Sequence, residues 1–196
     1  MIPVSRAYEK LKFALEKFNI NLTDKVCADF GSSTGGFVQA LTETKCKKIY
    51  SIETSKNRLY FVLKDDPRVI VLDKTNAVHI TLPEKMDFIS IDVGWTKQKL
   101  IIPNAIKNLK PNGKIISLIK PHYEVGHHRR TPKYFQKKCL LRARNLEKTT
   151  DKELKKILEQ VKKEIKDYVK IIKIIESPIT GKKAKNREFL MLCEKR

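Results

Sequence analysis

The sequence predicts an α/β fold: a seven-stranded, mostly parallel sheet with one antiparallel strand in an edge region and helices on both faces. Three observations carry that expectation. Short apolar runs that read as buried strands alternate with segments whose apolar residues recur at helical spacing. The alternation ends in two adjacent strands, which supplies an antiparallel pair. Asp29, Glu53, Asn76, Asp92 and Lys120 all fall at the carboxyl ends of expected strands, where open α/β sheets bind their ligands.

A chain of 196 residues suits one domain with one sizeable core. It is therefore read as a single unit over 1–196, with an N-terminal helical segment over 1–22 and a basic segment over 121–150. In the first, Tyr8, Leu11, Leu15 and Phe18 recur at helical spacing, Ser5 is placed to cap the helix, and Arg6, Lys10 and Lys17 lie off the apolar stripe.

The next stretch organises the chain. Val26-Cys27-Ala28 reads as a strand and Val38-Gln39-Ala40-Leu41 as the start of a helix. Between them stands Asp29-Phe30-Gly31-Ser32-Ser33-Thr34-Gly35-Gly36-Phe37. Its glycines permit a sharp turn and a close approach to a ligand, and free N–H groups at the helix start face the same space. No Gly-Lys-Ser/Thr follows, so this is not a phosphate-binding Walker loop. The leading acid suits a ligand whose near side is cationic, such as the aminoacyl-sulfonium end of S-adenosylmethionine. An ordinary strand-to-helix turn is the plainer alternative.

Ile49-Tyr50-Ser51-Ile52 is a second strand, ending in Glu53. An acid about twenty residues past the glycines is where Rossmann-type sites hold ribose hydroxyls, which favours a nucleoside-bearing cofactor. A helix is expected over 55–64 and, after Asp65-Asp66-Pro67, a strand over 69–72. Asn76 follows it, with a donor and an acceptor to offer an adenine edge, or simply as turn chemistry. Phe88-Ile89-Ser90-Ile91 leads to Asp92. A helix carrying Ile102, Ile106 and Leu109 comes next, then a turn at 110–113 and a strand over 114–119 ending at Lys120-Pro121. Leu154, Ile157, Leu158, Val161 and Ile165 mark another amphipathic helix, followed by strands over 168–175 and 188–193.

The formal net charge of +20 points to a polyanion, with nucleic acid ahead of an anionic membrane. Nine basic and two acidic residues lie between Lys120 and Lys148, interleaved with His122, Tyr123, His127, His128, Tyr134 and Phe135. That composition binds phosphates and stacks on unpaired bases. Cys27, Cys46, Cys139 and Cys193 have no C-x-x-C spacing, which argues against zinc and a disulfide framework; no metal is expected. No signal peptide or membrane-length apolar run is visible, so a cytoplasmic protein is expected.

Several motifs, in order along the chain, resemble the FtsJ-like RNA ribose methyltransferases, and among them the TlyA (hemolysin A) branch. They are Ser5-Arg6 with Lys10-Leu11, the stretch 29–37, Thr75-Asn76-Ala77, Ile91-Asp92-Val93, Lys120-Pro121, Ser177-Pro178-Ile179-Thr180-Gly181 and residues 186–190. The resemblance implies a Rossmann-like class I methyltransferase fold, S-adenosylmethionine as cofactor, and transfer to a ribose 2′-hydroxyl of RNA, with ribosomal RNA or a ribosomal subunit as partner and no membrane. It also implies a Lys-Asp-Lys-Glu tetrad at Lys10, Asp92, Lys120 and Glu188. Cofactor contacts fall at Asp29, Gly31, Ser32, Ser33, Thr34, Gly35, Gly36, Phe37, Glu53, Asn76 and Asp92. Within the tetrad Lys120 is expected between Asp92 and Glu188, stabilising the developing 2′-oxyanion, with Lys10 positioning the ribose or a phosphate.

The chain departs from that pattern in places. The small N-terminal RNA-binding domain usual in the branch is not expected here, because the first motif lies at the start of the sequence. Gly94-Trp95 stands where Ser-Phe is usual, the segment after Lys120 is longer and more basic, and lysine stands where glycine is usual before Glu188. Two other classes remain in view: a non-catalytic RNA-binding or ribosome-assembly protein of the same fold, and a membrane-active hemolysin.

Overall fold

The computed structural model describes residues 2–125, 150–181 and 186–196. Most of the basic segment 121–150, including His127, His128, Arg129, Arg130, Tyr134, Phe135 and Cys139, lies outside the described residues, as does 182–185 of the second basic loop. Seven strands are described: β1 (Val26–Phe30), β2 (Lys48–Ile52), β3 (Val69–Leu72), β4 (Met86–Ile91), β5 (Leu109–Ile119), β6 (Val169–Glu176) and β7 (Phe189–Lys195). Six helices are described: α1 (Ala7–Lys17), α2 (Gly36–Thr42), α3 (Phe61–Lys64), α4 (Gln98–Asn108), α5 (Pro121–Glu124) and α6 (Asp151–Ile165).

The sheet order is β3-β2-β1-β4-β5-β7-β6. β7 is antiparallel to both neighbours and lies one place in from the edge, so β6 forms the edge while running parallel to the rest. Central strands are apolar on both faces: every residue of β1 is buried. That is the pattern of a strand covered by helices on two sides. On one side, Ile101 and Ile102 of α4 and Leu154 and Val161 of α6 pack on Ala28, Phe30, Ile89 and Ile91. On the other, Leu11 and Ala14 of α1 and Phe37, Val38 and Leu41 of α2 pack on Cys27, Ile49, Phe88 and Ile116. Each such buried Leu, Ile or Phe contributes roughly 1.5–3 kcal/mol. α6 opens on a reciprocal cap, Thr150 accepting from the Glu153 amide while the Glu153 carboxylate accepts from the Thr150 amide.

Local expectations differ from the structure in four places. The helix expected over 55–64 is confined to Phe61–Lys64. Glu53 accepts from the Ser55 amide, and Asn57 has φ +55° with its amide donating to Asp73, so the chain is held out of helical geometry. Ser5 does not cap α1 through its side chain; its carbonyl accepts from Tyr8 and its hydroxyl lies against Gly36. β5 begins at Leu109 and takes in the expected turn at 110–113, because Leu109 pairs with Met86 of β4 across a register irregularity. Lys10, read as off the apolar stripe, is buried. α1 is covered on that side by the chain around Glu188, which gives the ammonium a partner.

Candidate active site

Strand order reverses between β1 and β4, the switch point at which open α/β sheets leave a crevice. Here the crevice is a cleft of about 1330 Å³ at the strands' carboxyl ends. Its walls come from the turn after β1, the chain following β2 and β3, residues 92–97 after β4, Lys120, His122 and Tyr123 after β5, residues 4–6 ahead of α1, and Ala7 and Lys10 of α1 itself.

The turn after β1 is tied down by backbone bonds. The Gly31 and Ser32 amides donate to the Ile52 carbonyl at 2.9 and 3.0 Å, and the Gly35 amide donates to Ser32. Gly31 and Gly35 have φ of +91° and +101°, which favour glycine. The space beside each glycine is already taken by protein. A Cβ on Gly31 would lie 2.8 Å from the Asp92 carbonyl oxygen, one on Gly35 would strike Leu59 and Leu63, and one on Gly36 would lie 2.3 Å from the Ser5 hydroxyl. Gly36 therefore lets α1 pack close on α2, a role its place in the motif did not suggest.

Asp29 lies inside β1, fully buried, and also borders the cleft. One carboxylate oxygen accepts from Ser90 Oγ at 2.8 Å, and the other has no partner among the described residues. Burial pushes its pKa up to about 7, with the Ser90 hydrogen bond opposing that rise. A buried, half-satisfied acid at the base of a cleft is a receptor for a donor or a cation. Glu53 stands across the turn, accepting from the Ser33 amide at 2.9 Å and from Thr54 and Ser55. Burial raises its pKa, but those hydrogen bonds outweigh it and hold the carboxyl below its usual range. Asn76 uses its side-chain oxygen on the Val78 amide, leaving its NH2 group to face outward chemistry.

By hydrogen bonds the four tetrad candidates form two pairs. Lys120 donates to Asp92 and approaches the Val93 carbonyl at 3.5 Å. Glu188 is bonded to Lys10, Nζ to Oε2, at 2.5 Å. Glu188 is thus hydrogen-bonded to Lys10, which α1 brings onto it, while its charge still acts on Lys120. Burial lowers the Lys120 pKa, yet the Asp92 charge and hydrogen bond, with Glu188 and Tyr123 behind them, raise it overall. Lys120 is therefore a held cation at neutral pH. Its ammonium lies 5.5 Å from the Tyr123 ring centroid, and Tyr123 stacks on Trp95 at 4.7 Å. Trp95 is 56 % exposed, with φ +57°. Burial and then Lys120 push His122 down to about 4, so it is a neutral imidazole beside the cation.

Of the predicted cofactor residues, all but Gly35 border the cleft; of the tetrad, Lys10, Asp92 and Lys120 border it and Glu188 lies behind Lys10. Sequence reasoning missed the buried network that ties the two strand-end loops together. The Gln98 amide donates to Glu124 at 3.0 Å, its side chain donates to the Leu118 carbonyl, and its Oε1 accepts from Ser117 at 2.7 Å. Burial pushes Glu124 up to about 7. The loop carrying Asp92 and the strand end carrying Lys120 are thus fixed to each other at Gln98. Glu124, four residues past Lys120, was visible; Gln98, inside a helix, carried no signal.

Residues 3–196 match the FtsJ-like methyltransferase family. The chain is 38% identical over 125 residues to the 23S rRNA (cytidine-2′-O)-methyltransferase TlyA of Campylobacter jejuni, covering 64% of this chain and 49% of that one. It is 34% identical over 127 residues to the 16S/23S rRNA (cytidine-2′-O)-methyltransferase TlyA of Mycobacterium tuberculosis, covering 63% and 47%. The chain spans about half the length of the curated relatives it matches. Among solved structures, a protein from Streptococcus thermophilus described as a hemolysin superposes with a TM-score of 0.80 at 28% identity, over 100% of this chain and 68% of that one. The chain belongs to the FtsJ-like methyltransferase family.

Proposed function

We propose that residues 1–196 act as a single S-adenosylmethionine-dependent methyltransferase domain that modifies a ribose 2′-hydroxyl of RNA, with ribosomal RNA or a ribosomal subunit as substrate and the cytoplasm as its place of action. The observation that carries this reading is the held Lys120 ammonium on Asp92, set at the same cleft as the half-satisfied carboxylate of Asp29.

The residues fit the cofactor. Asp29 offers an unpartnered buried oxygen to the cationic amino end. Glu53, ionised by its hydrogen bonds, is placed for ribose hydroxyls, and the Asn76 amide for the base. Gly31, Ser32, Ser33, Thr34, Gly36 and Phe37 form the adjoining wall, with Gly35 holding the turn behind it. Bound there, S-adenosylmethionine supplies a methyl group activated by its cationic sulfur. As the 2′-hydroxyl proton leaves to solvent at the open cleft, Lys120 stabilises the negative charge that grows on the 2′-oxygen, and Asp92 orients the ammonium. Because its pKa is raised, Lys120 acts as a cation and hydrogen-bond donor rather than as a proton acceptor. Lys10 and Glu188 support the ribose side of the cleft. Trp95 on Tyr123 offers an exposed aromatic face to an unpaired base.

An intact Lys120–Asp92 pair weighs against a purely RNA-binding role. A hemolytic role draws on names alone, and no helix among the described residues is long and apolar enough to cross a membrane. The test is labelled-methyl transfer to ribosomal subunits and to naked RNA, followed by mapping of the modified ribose. Absence of label from both, with correctly folded protein that binds the cofactor, overturns the reading.

A further inference from the structure

A second concentration of positive charge lies at the pole opposite the cleft. β1 to β6 run parallel, so their amino ends share one rim, and antiparallel β7 finishes there. Register sets the row. Lys48 stands opposite Val26, Phe88 opposite both Cys27 and Lys114, Glu194 opposite both Lys114 and Lys170, and Lys195 opposite Val169. The Lys47 amide donates to the Lys25 carbonyl, placing those two residues side by side. From β2 to β6 the row crosses five strand spacings, about 24 Å. Lys25, Lys47, Lys114, Lys170 and Lys195 are exposed. Lys48 and Lys170 pair with Glu84 and Glu194. Lys25, Lys47, Lys114 and Lys195 form no ion pair among the described residues.

Cations that complement helix dipoles account for part of the charge at this pole, such as Lys107 at the end of α4 and Lys166 after α6. The row itself consists of residues at or beside strand ends, with Lys114 inside β5 level with the start of β4, and none of them stands at a helix terminus. Glu84, Asp87 and Glu194 offset part of the row's charge, and the lysines left in excess repel one another, a repulsion that a polyanion relieves.

We propose that this rim is a second RNA-contacting surface, which grips a part of the folded substrate remote from the ribose in the cleft. The proposal rests on the reading of the substrate as a large RNA. RNA suits the rim better than a lipid surface, because membrane binding draws on apolar area as well as charge, and among the described residues only Tyr168 and Ile172 are large apolar side chains exposed toward the β6 end of the row. β1 alone spans about 17 Å between the two poles. A short oligonucleotide seated in the cleft does not reach the rim, whereas a folded RNA does.

The test is equilibrium binding, read without methyl transfer, over a range of salt concentrations. It uses a long ribosomal RNA fragment, a short single-stranded oligonucleotide, and phosphatidylglycerol vesicles as probes. The triple variant Lys25→Gln, Lys47→Gln, Lys114→Gln is compared with wild type, and the pair Lys170→Gln, Lys195→Gln provides an independent half of the row. The triple variant is expected to lower the slope of log affinity on log salt for the long RNA by about two to three, and to lose about tenfold in affinity near 0.1 M salt. Oligonucleotide and S-adenosylhomocysteine binding are expected to stay unchanged. An unchanged slope in both variants overturns the proposal. So does an equal loss on the oligonucleotide, which marks general attraction, or a loss confined to vesicles, which marks a membrane face. A wild-type protein that shows the slope effect but methylates no RNA removes the catalytic reading and leaves the rim standing.

Discussion

Lys10–Glu188 and Lys120–Asp92 are both lysine–carboxylate pairs assembled from distant parts of the chain, but they meet solvent differently. The side chains of the first are 9% and 4% exposed, those of the second 14% and 17%. The first joins α1 to the residue preceding β7 and is the more deeply buried, with Lys10 touching the cleft wall and Glu188 sealed behind it. The second stands at the ends of β4 and β5 and opens on the cleft beside Tyr123. Depth matters because losing one partner of a buried pair strands a charge away from water. A pair at a cleft wall can exchange water for substrate, and its cation can act on charge that develops there. We propose that the more deeply buried Lys10–Glu188 pair carries more of the fold and the Lys120–Asp92 pair more of the chemistry.

The largest effect is expected at the cleft pair. Lys120→Ala should lower kcat by about a thousandfold or more, on the order of 4 kcal/mol, while cofactor and RNA affinities change little. Single-turnover methyl transfer alongside binding titrations checks this. A loss that appears only in RNA affinity would make Lys120 an ordinary phosphate contact and dissolve the contrast.

Glu188→Ala is the matching break of the more deeply buried pair. It should destabilise the fold by about 3–5 kcal/mol in denaturant unfolding, and the double variant Lys10→Met, Glu188→Leu should recover much of that loss. If Glu188→Ala leaves stability untouched and removes only turnover, the two pairs belong to one catalytic unit.

Asp29 sharpens the comparison from inside the sheet, as a buried acid without a lysine. Asp29→Asn should weaken cofactor binding about 10- to 100-fold, the scale of a charged hydrogen bond. The pH dependence has a definite sign. Burial raises the folded pKa from 3.8 to about 7. The stability this contributes is full below pH ~4 and is lost as pH rises through about 7. Cofactor affinity should climb over the same window as the carboxylate ionises. Glu124, also pushed up to about 7 by burial, adds to the loss of stability. Melting curves and cofactor titrations between pH 5 and 8.5 should be flatter for Asp29→Asn, and melting curves alone flatter for Glu124→Gln.

The smallest effect is expected at Gly36→Ala. Its Cβ would lie 2.8 Å from the Tyr8 amide and 2.9 Å from Ala7 as well as against Ser5. Overpacking there should cost about 1–3 kcal/mol in stability, with activity per folded molecule nearly preserved. A collapse of cofactor binding on folded protein instead would mean that Gly36 matters through the cleft wall more than through helix packing.

By itself, the sequence determined the strand runs, their alternation with helices, and the carboxylates and lysine at strand ends, because apolar periodicity and turn residues are local properties. Asp29, Glu53, Asp92 and Lys120 could be placed on one rim of the sheet from that alone. Tertiary structure decided what each of them touches. Lys10 lay off the apolar stripe of α1, and only the fold, which seats Glu188 against it, showed that the two are hydrogen-bonded partners. Gly36 looked like part of a ligand turn, and only the packing of α1 showed why a side chain is excluded. Gln98 had no local mark at all, since its importance lies in contacts with Ser117, Leu118 and Glu124, some twenty residues away or more. Pairing and burial are properties of distant segments brought together, and no window of sequence contains them.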